Sequence, residues 1–219
     1  MMLRPSRVWP VVALLVVVFG LPLLASRYLV WVLTEITVWS LFAVSFNLVY
    51  GYTGLLSFGH AALFGLGMYG FAFAASGEAV LPLAVLAGVA AGILGALVLG
   101  IVAVRVRGHG FAIVTLVVAS ILYTLAVKFK SLSGGDDGIS FSVPWLGHLR
   151  ALGIRREVEV FYLVVIVAAL VYIVFAKLVR GRLGLALRLV RDNEQRAEFL
   201  GYNVTALKLA AIVISGAIA

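Results

Sequence analysis

The chain has 219 residues, of which 64% are hydrophobic and 12% charged, whereas a soluble domain carries about 25% charge; a water-solvated globule is excluded. It has no cysteine, so disulfides and thiolate metal sites are excluded too. A net charge of +8 would suggest nucleic acid on a soluble protein, but here the placement of charge between apolar runs must account for it.

Crossing the roughly 30 Å hydrocarbon core takes about 20 apolar residues. Five runs reach that length in the first part of the chain: Val8–Ala25, Tyr28–Tyr50, Leu55–Ala75, Val80–Val104 and His109–Val127. The first follows Arg4 and Arg7 but ends in "LLASRYLV" without a small-residue cleavage pattern, so it reads as a retained span rather than a leader. A sixth run covers Val158–Leu178, and a seventh starts near Leu207 and stops at Ala219. The eleven residues after Lys208 reach only about 17 Å as a helix, so the sequence predicts a fragment of a longer chain. The expected fold is all-α: a polytopic integral membrane protein in the lipid bilayer. It has about six complete transmembrane helices, a truncated seventh and a broken helix near residues 51–60. All of it, 1–219, is expected to form one transmembrane domain.

With the N-terminus placed in the cytoplasm and sides alternating, one side receives eleven of the basic residues: Arg4, Arg7, Arg105, Arg107, Lys177, Arg180, Arg182, Arg188, Arg191, Arg196 and Lys208. Only Asp192, Glu194 and Glu198 oppose them there. The other side holds six basic and six acidic residues. Basic residues concentrate in cytoplasmic loops, so the pattern predicts N-in and explains the net charge without nucleic acid. The loop 128–157 is then external and the loop 180–206 cytoplasmic. In the external loop, "SLSGGDDGIS" is turn-rich and Trp145 in "VPWLG" suits the membrane interface. Its acidic pair lacks the ligand periodicity of a calcium loop and reads as a turn.

Helix punctuation runs through the cytoplasmic loop. Asp192 and Gln195 stand at capping-box spacing, predicting a short helix Asn193–Leu200. Gly201 suits its C′ position, and Asn203 or Thr205 caps the last membrane helix. Leu185–Val190 reads as another short helix with one apolar face, which is expected to meet a partner protein. A solvated, membrane-hugging loop is the plainer alternative.

The stretch "GYTGLLSFGHAALFGLG" is apolar but rich in glycine, with Thr53, Ser57 and His60 among the glycines. Irregular backbone at membrane depth is tolerated only where protein buries it or a wet cavity meets it, and transporters build substrate paths from such breaks. The alternative is close helix packing at the glycines and an ordinary interhelical hydrogen bond from His60. In the fourth run Ala84, Gly88, Gly92, Ala96 and Gly100 recur every four residues with no polar group, a packing stripe for a neighbour in this chain or another. Glu35 is expected to snorkel or to pair with Arg27.

Four segments in order, "NLVYGYTGLLSFGHAALFGLGMYG", "RVRGHGFAIVTLVVASILY", "LSGGDDGIS" and "GRLGLALRLVRDNEQRAEFLGYNVTALKLAAIVISGAIA", resemble the branched-chain amino-acid ABC transporter permeases of the LivM type. Members of that family continue into further membrane helices, and Asp137-Gly138 is the better match to the family's turn than Asp136. The resemblance implies a non-enzymatic permease subunit, without cofactor or metal, in a bacterial-type inner membrane. It also implies a second permease subunit in a heterodimer, two ATP-binding subunits and an external substrate-binding protein. Gly51, Thr53, Gly54, Ser57 and His60 would line the translocation path. Arg182, Arg188, Arg191, Asp192, Glu194 and Gly201 would couple the loop to the ATPase. The chain has no phosphate-binding loop and not one Gly-Lys pair, so energy from ATP must come from a partner. A membrane enzyme is disfavoured: there is no HExxH, no GxSxG and no Asp pair within a span. Related permeases for urea or short amides remain the alternative substrate class.

Overall fold

A computed structural model of the chain describes residues 20–77, 80–106, 108–141 and 154–219. Among these residues the regular structure is helical, with no strand. The long helices are α1 (Arg27–Asn47), α2 (His60–Ser76), α3 (Leu81–Ala103), α4 (His109–Lys128) and α6 (Arg156–Arg180), with a four-residue turn α5 (Lys130–Ser133) after α4. The basic loop folds as α7 (Arg182–Asp192) and α8 (Glu194–Phe199), and α9 (Val204–Ile218) follows. Four helical stretches are long and apolar enough to cross a membrane: Arg27–Tyr52, Leu81–Ala103, Gly110–Lys128 and Arg156–Arg180. The shorter α2 and α9 are also apolar. This is the all-α polytopic membrane architecture expected, broken where the glycines indicated. The run Leu55–Ala75 differs from a plain span: its helix starts only at His60. Most of Val8–Ala25, and Trp145, lie outside the described residues.

The described residues fall into two compact units, 20–40 with 154–170 and 41–141 with 171–219. In the first, Val30, Val158 and Phe161 form a buried core with Ala25, Leu33 and Ile154 against it. Arg155 donates from Nη2 to the carbonyls of Pro22 and Ala25, at 3.2 and 2.5 Å, closing the helical turn over residues 20–24 with a cation at its C-terminal end. Arg27 pairs with Glu157 at 3.9 Å rather than with Glu35. Eight residues along one helix separate Arg27 from Glu35, about 12 Å, too far for an ion pair.

The second unit is built on the small-residue stripe. Ala84, Gly88, Gly92, Ala96 and Gly100 are all buried on α3. A Cβ on Gly88 would stand 3.0 Å from the Gly67 carbonyl of α2, and one on Gly92 would press into the Gly216 carbonyl of α9. The stripe therefore packs within the chain, and it lets two helices approach α3 backbone to backbone. Leu63, Leu99, Phe111 and Ile212 fill the space beside it. At residues 133–138 the turn-rich stretch is a turn, with Gly134, Gly135 and Gly138 all at positive φ.

Candidate functional site

The break begins where α1 runs into a single π-helical turn, Leu48–Tyr52; such turns are rare and often mark functional sites. Gly54 has φ +75°, a conformation that other residues adopt only with strain. Its N–H donates to the Tyr50 carbonyl and that of Leu55 to the Val49 carbonyl, both at 3.0 Å. Leu55 thus reaches past Gly51, whose carbonyl would have been its ordinary helical acceptor. From there the chain is non-helical to Gly59, with an alternating pattern: Leu55, Ser57 and Gly59 are buried, while Leu56 and Phe58 are exposed. The Phe58 N–H donates to Thr115 Oγ1 of α4 at 3.1 Å. Gly59 lies so close to α4 that a Cβ would stand 2.5 Å from the Thr115 carbonyl oxygen.

His60 opens α2 and is buried beside polar partners from two other helices. Its Nε2 lies 2.7 Å from Ser45 Oγ of α1 and 3.4 Å from Ser215 Oγ of α9. Ser45 donates to the Ser215 carbonyl at 2.9 Å and Ser215 donates back to the Ser45 carbonyl at 2.8 Å. The two hydroxyls also lie 3.2 Å from each other, so His60 Nε2 joins a three-residue hydrogen-bond cluster linking α1, α2 and α9. The rings of Phe42 and Phe46 stand edge-on at 5.2 and 5.3 Å. His60 Nδ1 and the buried Ser57 Oγ make no hydrogen bond. Ser45 lies six residues before Gly51, about 9 Å along a helix. The segment therefore turns back beside α1 before α2 begins, rather than looping at the level of Gly51.

In the basic loop the apolar side predicted to meet a partner faces inward. Ala186, Leu187, Val190 and Ala197 are buried, Leu187 against Leu48, Phe175 and Ala211, and Val190 against Val204. Two helical pieces too short to be stable alone use these residues to hold themselves to the membrane helices. The apolar side chains left outward are Leu185, Phe199, Leu200 and Tyr202. Asn193, not Asp192, caps α8, accepting from the Arg196 N–H at 2.8 Å. Asp192 instead ends α7 and faces Arg191. The break after α8 is a Schellman turn: Tyr202 N–H to Ala197 O at 3.1 Å and Gly201 N–H to Glu198 O at 2.9 Å, with Gly201 at φ +85°. Asn203 caps α9 through Ala206 N–H at 3.0 Å. Glu194 pairs with the buried Lys208 at 2.5 Å, pinning the start of α8 to α9.

The two predicted residue groups meet. Arg191 Nη1 donates to the Gly51 carbonyl at 2.7 Å, and a Cβ on Gly54 would stand 2.9 Å from Arg191 Cγ. Thr53 is buried and donates to the Leu48 carbonyl at 3.0 Å. Arg182 and Arg188 are exposed, the latter donating to the Gly184 carbonyl at 3.2 Å. Sequence reasoning missed Ser45, Thr115 and Ser215, the partners of the break. Cavities of about 600 and 710 Å³ flank α2. The larger is lined by Ala61, Leu66, Tyr69, Ser120 and Tyr123, starting one residue from His60. Gly51, Thr53, Gly54, Ser57 and His60 line neither.

Residues 28–219 match the family model for the permease component of branched-chain amino acid transport systems. The chain is similar to the high-affinity branched-chain amino acid transport system permease protein LivM of Salmonella typhimurium, at 30% identity over 94% of this chain and 54% of the relative. The protein of that name from Escherichia coli K12 is 29% identical over 95% and 54% respectively. The chain thus spans about half the length of these curated relatives. No solved structure matches it.

Proposed function

Because the chain belongs to the permease family of branched-chain amino acid transport systems, we propose that it forms part of the membrane path of an ABC importer for these hydrophobic amino acids. The family match over residues 28–219 carries this reading. The chain acts as a transport subunit and not as an enzyme. It forms a single permease domain in a bacterial-type inner membrane, with the N-terminus and the 180–206 loop in the cytoplasm. Its partners are a second permease subunit, two ATP-binding subunits and an external substrate-binding protein. Both curated relatives are named for branched-chain amino acids, which does not favour urea or short amides as substrate.

The broken segment supports a place for the path. Leu56 and Phe58 expose apolar surface on one side of a non-helical stretch in which Leu55, Ser57 and Gly59 are buried. Gly51, Thr53, Gly54, Ser57 and His60 shape that stretch, and substrate passes along its exposed side. Arg182, Arg188, Arg191, Asp192, Glu194 and Gly201 belong to the element that the ATPase moves, with outward Phe199 and Leu200 as its apolar contacts. The test is uptake of radiolabelled leucine by the intact permease reconstituted with those partners. ATP-dependent uptake, competed by valine and not by urea, is expected. Competition by urea alone would move the substrate to the amide class, and no uptake of either would remove the transport reading.

A further inference from the structure

We propose that Arg191 is a positioning residue, the latch through which α7 grips the end of the first long helix and moves the unwound segment behind it. The proposal rests on the transport reading above and deepens it by naming a link between the two groups of residues.

Three independent features meet at this side chain. The first is an acceptor left over by the helix end. Leu55 donates to Val49, so the Gly51 carbonyl loses its helical donor, and Arg191 Nη1 takes its place at 2.7 Å. A guanidinium suits this position, since helix C-terminal carbonyls carry partial negative charge and a charge-assisted bond is roughly twice as strong as a neutral one. The second is a seat: Gly54 has no side chain and positive φ, and the Arg191 stem occupies the place where a Cβ would be. The third is an orienting carboxylate. Asp192 Oδ1 accepts from Arg191 Nε and Nη2 at 3.3 and 3.2 Å, which turns the remaining Nη1 toward Gly51. A solvated arginine needs none of these arrangements.

The route onward is continuous. Gly51–Gly54 leads through Leu55–Gly59 to His60, and Phe58 and Gly59 are in turn held to α4 at Thr115. A shift of α7 therefore pulls on a stretch of backbone that has no helical ladder to resist it.

The experiment uses the intact permease reconstituted with its ATP-binding and second permease subunits and the substrate-binding protein, reading leucine imported per ATP hydrolysed. Arg191→Met keeps the stem over Gly54 and removes the donor. It is expected to lower the ratio about tenfold, the scale of one charge-assisted hydrogen bond, while the ATP-binding subunits still co-purify. Arg191→Lys should recover most of the ratio. Gly54→Ala, which fills the seat, should lower it too, and the double variant Arg191→Met/Gly54→Ala should be no worse than either single change. A wild-type ratio in Arg191→Met overturns the latch. So does loss of the ATP-binding subunits in Arg191→Met with Gly54→Ala unaffected, which would make Arg191 a docking residue. A second readout needs no transport: in this cysteine-free chain, a cysteine placed at Leu56 is labelled by a water-soluble maleimide. Labelling should quicken severalfold on Arg191→Met, and an unchanged rate overturns the latch even if the wild-type complex imports no leucine.

Discussion

His60 shows at one residue why a polar group is retained in an apolar helix. Ser45 and Ser215 each reach the other's carbonyl, and the ring nitrogen Nε2 stands within hydrogen-bond distance of both hydroxyls. Glutamine carries an amide, both donor and acceptor, at about that reach and leucine does not. His60→Gln should therefore leave unfolding in detergent within about 0.5 kcal/mol of the parent, and His60→Leu should cost about 1–2 kcal/mol, the range for interhelical hydrogen bonds in membranes. Equal losses in both variants would mean that the imidazole's shape between Phe42 and Phe46 matters and its hydrogen bond does not. The sequence made the histidine visible, because a titratable group in a span is uncommon. It did not reveal Ser45 and Ser215, because single hydroxyls are ordinary in membrane helices and 170 residues separate the pair. Thr115 escaped for the same reason: its job is to receive the Phe58 N–H of an unwound segment, and no periodicity marks such a partner.

At the scale of elements, the four-residue stripe on α3 was legible as a close-packing face, but its neighbours were not. Spacing says that a helix can come near, whereas identifying α2 and α9 needs the matching glycines Gly67, Gly70 and Gly216 to be brought opposite. This gives a paired expectation. Gly92→Ala places a methyl group against the Gly216 carbonyl and should cost about 1–3 kcal/mol by overpacking. Gly65→Ala, where nothing lies within 4 Å, should be neutral or slightly stabilising because alanine is the better helix former. Thermal unfolding of the two variants side by side reads the difference, and matching midpoints would refute the α3–α9 contact. The basic loop teaches the reverse lesson. Its turn and last cap were readable, because Gly201 and Asn203 act locally. The direction of its apolar face was not: amphipathicity fixes that Leu187 and Val190 are buried but not whether a partner or the chain itself covers them. Lys208 settles this, since a buried ammonium paired with Glu194 holds the loop against α9.

At the scale of the molecule, charge asymmetry is the basis for assigning sides. With sides alternating as proposed, eleven basic residues fall on one side and six on the other, and the positive-inside bias then predicts the 180–206 loop in the cytoplasm. Packing alone would allow either orientation, because apolar helices in lipid have no sidedness of their own. Two exposed positions in the same unit report on it: Lys130 after α4 and Gln195 on α8. Neither is in the break, and the chain contributes no background thiol. In intact cells, Lys130→Cys should react with a membrane-impermeant maleimide, and Gln195→Cys should react only after the membrane is opened. The reverse pattern would invert the topology and put α7 on the side of the substrate-binding protein, where no ATPase could reach it; Arg191 would then grip Gly51 without any motor behind it. Labelling of both positions from outside would be incompatible with α6 as the span between them. The expected pattern leaves the knob of α7 and α8, with Phe199 and Leu200 outward, facing the compartment that holds ATP.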